Sequence, residues 1–273
     1  MSQKHYKLLV IDIDGTLVNK QGIISDKDIQ ALKKAIKAGI VVVISTGRAA
    51  QASKSILQSL SLSGHHIFFD GALAVNPDTN EEIYVEPLSP EMVRQLIEFA
   101  HRTHIHFDFF SSQDYFIEQE DWMAEIRRNF FRLQPVFVDF DSIWQKERIV
   151  KGTLAVRSDE ERAIARDIQK YFNGKLLFSW TNAAPYPDVD FINIIDPHVS
   201  KGKAMLKLCS FLNIKPSDVM AIGDGSNDIS LLSNAGLAVA MGNAKQGLKD
   251  IAHHVTLDIE QSGVAVAIEK FLL

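Results

Sequence analysis

The chain has 273 residues, 46% of them hydrophobic, and a formal net charge of -5 at pH 7. That length sits near the limit of roughly 250–300 residues at which one core stops growing, so two domains are expected. Lysines and arginines are scattered among the acids without a basic block, and no run of about 18 apolar residues occurs, which argues against nucleic-acid and membrane partners.

The opening MSQKHYK carries no signal-type apolar segment and runs straight into LLVI, Leu8–Ile11, an apolar run that reads as a buried strand. The single Cys209 cannot form an internal disulfide and reads as a small buried residue in a helix. A cytoplasmic protein is expected. After the first strand, Ser25 with Asp28 three residues on, Ile29, Leu32 and Ile36 on one face, and Gly39 as a stop predict a helix. The run Ile40–Ser45 is a second buried strand, a helix from about Arg48 to Leu60 follows, and HIFFD is a third strand. Strand, helix and strand at this spacing make a parallel sheet.

From about Glu86 the pattern changes. SPEMVRQLIEFAHRT predicts a helix, HIHFDFF and DYFIEQ alternate as strands around a Ser-Ser-Gln turn, and a helix is expected near 121–131. IVKGTLAVRS, a helix opened by Ser158 and Glu161, and the strands KLLFSW and DVDFINII complete the block, which holds Trp122, Trp144 and Trp180. After Asp196 the first rhythm returns with a helix from Lys201 to Leu212, the strand VMAIGD, a short helix, LAVAM and a closing helix. The expected architecture is an α/β Rossmann-like parallel-sheet core, residues 1–85 and 191–273, with an inserted α+β domain at 86–190 acting as a lid.

Four strands of this core end in polar clusters: Asp12-Ile13-Asp14-Gly15, Ser45-Thr46-Gly47-Arg48, Phe69-Asp70-Gly71 and Gly223 through Asp228. Ligands of open parallel sheets gather at the carboxyl ends of the strands. Any one cluster could be a turn or a helix cap, but several acids in one crevice repel unless a cation joins them, and oxygen ligands suit Mg2+.

Together these residues resemble the haloacid dehalogenase superfamily of phosphotransferases. DIDGTL matches its first motif, Thr46 the second, Lys201 the third and GDGSND the fourth. STGR, SKGKAM, GLAVAMGNA and SGVAVAIEKFL are similar to the Cof-type phosphatases of sugar and cofactor phosphates. The resemblance implies a Mg2+-dependent phosphatase of a small phosphorylated metabolite, working through an aspartyl-phosphate on Asp12 with Asp14 as acid and base. It implies that Asp12, Asp224 and the carbonyl of Asp14 hold the metal, with Asn227 and Asp228 orienting Asp224. Lys201, Thr46, Gly15 and the amide of Gly47 would serve the phosphate. Asp12 and Asp14, two apart on an extended segment, are expected to point the same way. Arg48 either reaches the substrate or pairs with a carboxylate.

Three residues depart from the subfamily pattern: Asp70 stands where an asparagine is usual, Asn193 where an acid is common, and His198 is atypical. His65, His66, His104, His106, His253 and His254 lack the spacing of a zinc site. Trp122, Trp180 and Tyr186 either pack on a substrate ring or fill the inserted domain. A phosphomannomutase-type phosphosugar mutase and a non-catalytic binding protein are the competing functions.

Overall fold

The computed structural model describes residues 5–183 and 185–273, so the first residues of the opening MSQKHYK lie outside the described residues. The chain divides into two compact units. The first begins with β1 (Leu8–Ile11), α1 (Asp26–Lys37), β2 (Val41–Ile44), α2 (Ala50–Ser59), β3 (His66–Phe68), β4 (Leu73–Asn76) and β5 (Glu81–Val85). Every residue of β1 is fully buried, as its unbroken apolar run requires. Ser25 caps α1 by accepting from the Asp28 amide at 3.1 Å. Asp28 is itself buried, and its Oδ1 accepts from the Ala265 amide at 2.7 Å, which ties α1 to the end of the chain.

The inserted unit contains α3 (Pro90–Thr103), β6 (Phe107–Phe110), β7 (Tyr115–Ile117), α4 (Trp122–Asn129), β8 (Pro135–Phe137), α5 (Phe140–Lys146), β9 (Lys151–Val156), α6 (Asp159–Tyr171), β10 (Leu177–Ala183) and β11 (Tyr186–Ile195). Its six strands run in the order β10-β11-β9-β6-β7-β8. All the pairs are antiparallel except β7 with β8. Phe107, Phe109, Leu154 and Ile192 bury one face of this sheet against Leu96, Ile168 and Phe172. The capping box at Ser158 and Glu161 forms as the sequence implies. Trp180 packs against this core, and Trp122 and Tyr186 pack against a smaller cluster on α4 and β11, so these rings fill the unit itself. The domain boundary expected after residue 190 falls inside β11, which pairs with β9 up to Ile194. The compact unit therefore runs to Val199.

The first unit resumes with α7 (Lys201–Leu212), β12 (Val219–Gly223), α8 (Ile229–Asn234), β13 (Leu237–Ala240), α9 (Gln246–Lys249), β14 (His254–Val255) and α10 (Gly263–Phe271). Its main sheet has five parallel strands in the order β14-β13-β12-β1-β2. The α/β class with a parallel sheet holds. HIFFD joins this sheet only through a single bridge between Ser45 and Ile67; β3 otherwise pairs antiparallel with β4 in a small three-stranded sheet. No helix among the described residues is long and apolar enough to cross a membrane.

Candidate active site

The ladder of β1 extends one residue past the strand, because the Asp12 amide donates to the Ile222 carbonyl at 3.1 Å. This keeps Asp12 inside the protein, 6% exposed. The backbone then turns: Leu17 and Val18 both donate to the Ile13 carbonyl, at 2.9 and 2.8 Å, and Gly15 takes a φ of +88°. A side chain at position 15 would meet Asp224 Oδ2 at 2.4 Å, so both the conformation and the space require glycine. The turn carries the Asp14 side chain to 57% exposure. Asp12 and Asp14 are thus not on one extended segment, and their surroundings differ sharply.

Lys201 opens α7, whose N-cap Ser200 accepts from the Lys203 amide at 3.2 Å. Its side chain is fully buried, and Nζ donates to Asp12 Oδ1 at 2.6 Å and to Asp228 Oδ1 at 2.7 Å. Gly71, at φ +103°, permits this placement, since a Cβ there would meet the Ser200 carbonyl at 2.3 Å. Burial works against the ammonium, but the charges of Asp12 and Asp228 outweigh it and hold Lys201 above the ordinary lysine range. Burial pushes Asp12 well above the carboxylate range; Lys201 opposes this and Asp228 adds to it.

The third strand end supplies Asp224 and Asp228. Asp228 is fully buried and fixed on both sides: Oδ2 accepts from the amides of Asp224 and Gly225 at 3.1 and 2.9 Å, while Oδ1 takes Lys201. Asp224 Oδ1 accepts from Thr16 Oγ1 at 2.7 Å, and burial raises its carboxyl to about 6 despite that bond. Asn243 Nδ2 donates to the Gly15 carbonyl at 2.7 Å and steadies the turn after β1.

At the end of β2, Thr46 is buried and its amide donates to Ile67. Thr46 Oγ1 accepts from the Arg48 amide at 3.2 Å, which leaves its own O–H free to donate. Arg48 pairs with a carboxylate: Nε donates to Asp14 Oδ2 at 2.8 Å and a terminal nitrogen to Oδ1 at 2.5 Å. Asp70 sits at φ +57°, accepts from Asn227 Nδ2 at 2.8 Å and lies against Gly47, where a Cβ would meet its Oδ2 at 2.9 Å. The four polar strand ends therefore meet through side-chain bonds.

Asp12, Asp224 and Asp228 each offer one carboxylate oxygen within 4.8 Å of the others, the one such group of His, Cys, Asp or Glu among the described residues. An all-oxygen donor set beside a glycine that leaves room suits a hard divalent cation of the Mg2+ class. Of the expected residues, Asp12, Asp14, Gly15, Thr46, Gly47, Arg48, Lys201, Asp224, Asn227 and Asp228 all come to this rim. His198 is exposed and lies in the inserted unit. Two contributors had no expected role. Thr16 belongs to the DIDGT stretch, and its fully buried hydroxyl is seen only in the fold. Asn243 belongs to MGNA, and nothing short of the fold places it beside Gly15.

A family profile described as haloacid dehalogenase-like hydrolase matches residues 9–268. The chain is 28% identical over 267 residues to a 5-amino-6-(5-phospho-D-ribitylamino)uracil phosphatase of Bacillus subtilis, covering 98% of this chain and 96% of the relative. A haloacid dehalogenase-like hydrolase of Bacteroides thetaiotaomicron superposes with a TM-score of 0.82 at 26% identity, covering 97% of this chain and 99% of that one. A subclass IIB sugar phosphatase superposes with a TM-score of 0.76 at 28% identity, covering 97% and 98%.

Proposed function

The chain belongs to the haloacid dehalogenase-like hydrolases, in their Cof-type branch, and from that premise we propose that it is a Mg2+-dependent phosphatase of a small phosphorylated sugar or cofactor, working through an aspartyl-phosphate on Asp12. The observation that supports this most is the buried bridge of Lys201 between Asp12 and Asp228, at 2.6 and 2.7 Å. Such a bridge opposes the effect of burial on the nucleophilic carboxylate and presents positive charge where a phosphate dianion arrives.

In the first step an Asp12 carboxylate oxygen bonds to phosphorus as the bond to the leaving oxygen breaks. Asp14, the exposed member of the pair, gives its proton to that oxygen. Asp14 then takes a proton from water as the water oxygen bonds to phosphorus, the bond to Asp12 breaks, and inorganic phosphate leaves. Arg48 holds Asp14 through a bidentate contact that fixes both carboxylate oxygens. Thr46 Oγ1 and the Gly47 amide donate to the phosphoryl oxygens, with Lys201 behind Asp12. Asp12, Asp224 and the Asp14 carbonyl would hold the divalent cation, with Asp228 and Asn227 steadying the loop around Asp224. When bound, the cation supplies charge stabilisation to the transferring phosphoryl group.

The inserted unit would select the leaving group. Assaying phosphate release from a panel of phosphorylated metabolites, with and without Mg2+, tests the reading. Release from at least one ester only with Mg2+ is expected. No release from any would end it, and sugar-phosphate isomerisation without release would favour a mutase.

A further inference from the structure

Three consecutive residues after β3 take a positive φ: Phe69 at +51°, Asp70 at +57° and Gly71 at +103°. An aromatic residue in that region is strained, and such strain persists only where the surroundings impose it. Here they do. The Phe69 amide donates to the Arg48 carbonyl at 3.1 Å, and the Asp70 amide to the Thr46 carbonyl at 3.0 Å. On the other side Gly71 abuts the start of α7, where a Cβ would meet the Ser200 carbonyl at 2.3 Å. The segment is wedged between the Thr46-Gly47-Arg48 loop and the helix that carries Lys201, which leaves the Asp70 carboxylate little room to swing away.

That carboxylate lies against Gly47: a Cβ at position 47 would stand 2.9 and 3.0 Å from its two oxygens. Its Oδ1 accepts from Asn227 Nδ2 at 2.8 Å, a neutral partner. The other carboxylates of the rim meet positive charge. Asp14 has Arg48, Asp12 and Asp228 share Lys201, and Asp224 would meet the divalent cation of the proposed reaction. No ion pair among the described residues includes Asp70. Its charge nevertheless reaches Lys201: burial lowers that lysine, and against burial the charges of Asp12, Asp228 and then Asp70 raise it. One negative charge therefore stands unmatched beside Gly47, whose amide the proposed reaction assigns to the phosphoryl oxygens. At a half-buried position water screens such a charge only in part, so it repels an arriving or departing phosphate dianion. An asparagine, the usual residue from which this chain departs, would keep the bond to Asn227 and tolerate the same φ without that repulsion.

We infer that Asp70 is a charge-selecting residue of the phosphate site, which weakens the hold on inorganic phosphate and so keeps the doubly charged product from occupying it. The inference rests on the phosphatase reading and adds to it a determinant of product release. Attraction shared by substrate and product lowers KM without speeding the chemistry, so giving some of it up costs nothing once the ester is abundant.

The test is calorimetric titration of inorganic phosphate into the full chain with Mg2+ near pH 8, for the wild type and Asp70→Asn, with thermal unfolding confirming the fold. Asp70→Asn is expected to bind phosphate about tenfold more tightly in low salt, worth about 1.4 kcal/mol. In about 0.5 M NaCl the difference should shrink to about threefold or less, as screening of a charge requires. Stronger inhibition of ester hydrolysis by phosphate should accompany it. A merely structural role would show as lost affinity, so a gain separates charge from scaffold. Where Asp70→Asn does not fold, Asp70→Gly, which also accepts a positive φ, decides by the same measurement. A wild type that hydrolyses an ester while the folded variant holds phosphate no more tightly overturns the inference alone, as does a gain that salt leaves unchanged. A chain that binds no phosphate in either form and releases none from any ester overturns the phosphatase reading, and the inference falls with it.

Discussion

Lys201 Nζ lies 2.6 Å from Asp12 Oδ1, and neither side chain is more than 8% exposed. A lysine and a carboxylate sealed together are stable as a pair and costly as singles. Lys201→Met is expected to reduce stability by about 3–5 kcal/mol near pH 8, because Asp12 and Asp228 remain buried without a cation. Lys201 is raised in the folded protein, so its contribution is present below the ordinary lysine range and is lost only as pH rises through the folded value. At pH 5 the variant's loss should be smaller, since Asp12, which burial already raises, can neutralise by protonation. Urea unfolding of both proteins at the two pH values checks this. Where the variant folds, its kcat/KM should fall by an amount worth about 2–4 kcal/mol of transition-state stabilisation.

Arg48 reaches Asp14 with two nitrogens, a geometry that lysine cannot copy. Arg48→Lys is therefore expected to lower kcat by about tenfold, the scale of a misplaced proton donor, with a smaller change in KM. Steady-state kinetics on the preferred ester measure both. A change confined to KM would place Arg48 on the substrate instead of on Asp14.

Gly15 has no room for a side chain: a Cβ would stand 2.4 Å from Asp224 Oδ2, at a φ of +88°. Gly15→Ala should displace Asp224 and weaken the apparent Mg2+ affinity by about tenfold or more, a cost of about 1.4 kcal/mol or greater. Titrating activity with Mg2+, or following the Mg2+-induced rise in Tm, reads this out. An unchanged midpoint would mean that Asp224 does not hold the cation.

His106 Nδ1 lies 2.6 Å from the Asp121 carboxylate that caps α4. The hydrogen bond to Asp121 raises His106, with burial opposing; on Asp121, burial is the largest single effect and raises, but the bond to His106, the His106 charge and the amides of Ala124 and Met123 together leave that carboxyl lowered. A raised histidine stabilises fully below its unfolded value and loses that contribution as pH rises through the folded one. His106→Gln should thus cost about 1–2 kcal/mol at pH 5.5 and clearly less at pH 8.5, measured by urea unfolding. Equal losses at both pH values would remove the charge from the account.

Much of this arrangement was legible because local patterns coincided with tertiary demands. The apolar run Leu8–Ile11 could only be a buried strand, and the acids after it, with Lys201 and GDGSND, marked the rim where such strands end. Less visible was whatever depends on long-range closure. Asp12 and Asp14 share a motif, yet the turn at Ile13 gives one a buried lysine and the other a half-buried arginine. DVDFINII invited a boundary at residue 190 because the two rhythms overlap there, while β11 continues to Ile195 as part of the inserted sheet. The short β8 and α5 carry too few residues for a period to show. HIHFDFF reads as an alternating strand, and only the folded α4 brings Arg127 to its buried Asp108.

The central claim is that the phosphoryl group passes through Asp12. The most direct measurement is acid quenching during turnover of the preferred ester, borohydride reduction, and mass spectrometry of the peptide running from Leu8 to Lys20. Covalent phosphate on that peptide, converted by reduction to homoserine at position 12 and absent from Asp12→Asn, is the predicted result. Phosphate release with no modification at position 12 at any quench time, or near-normal turnover by Asp12→Asn, would contradict it.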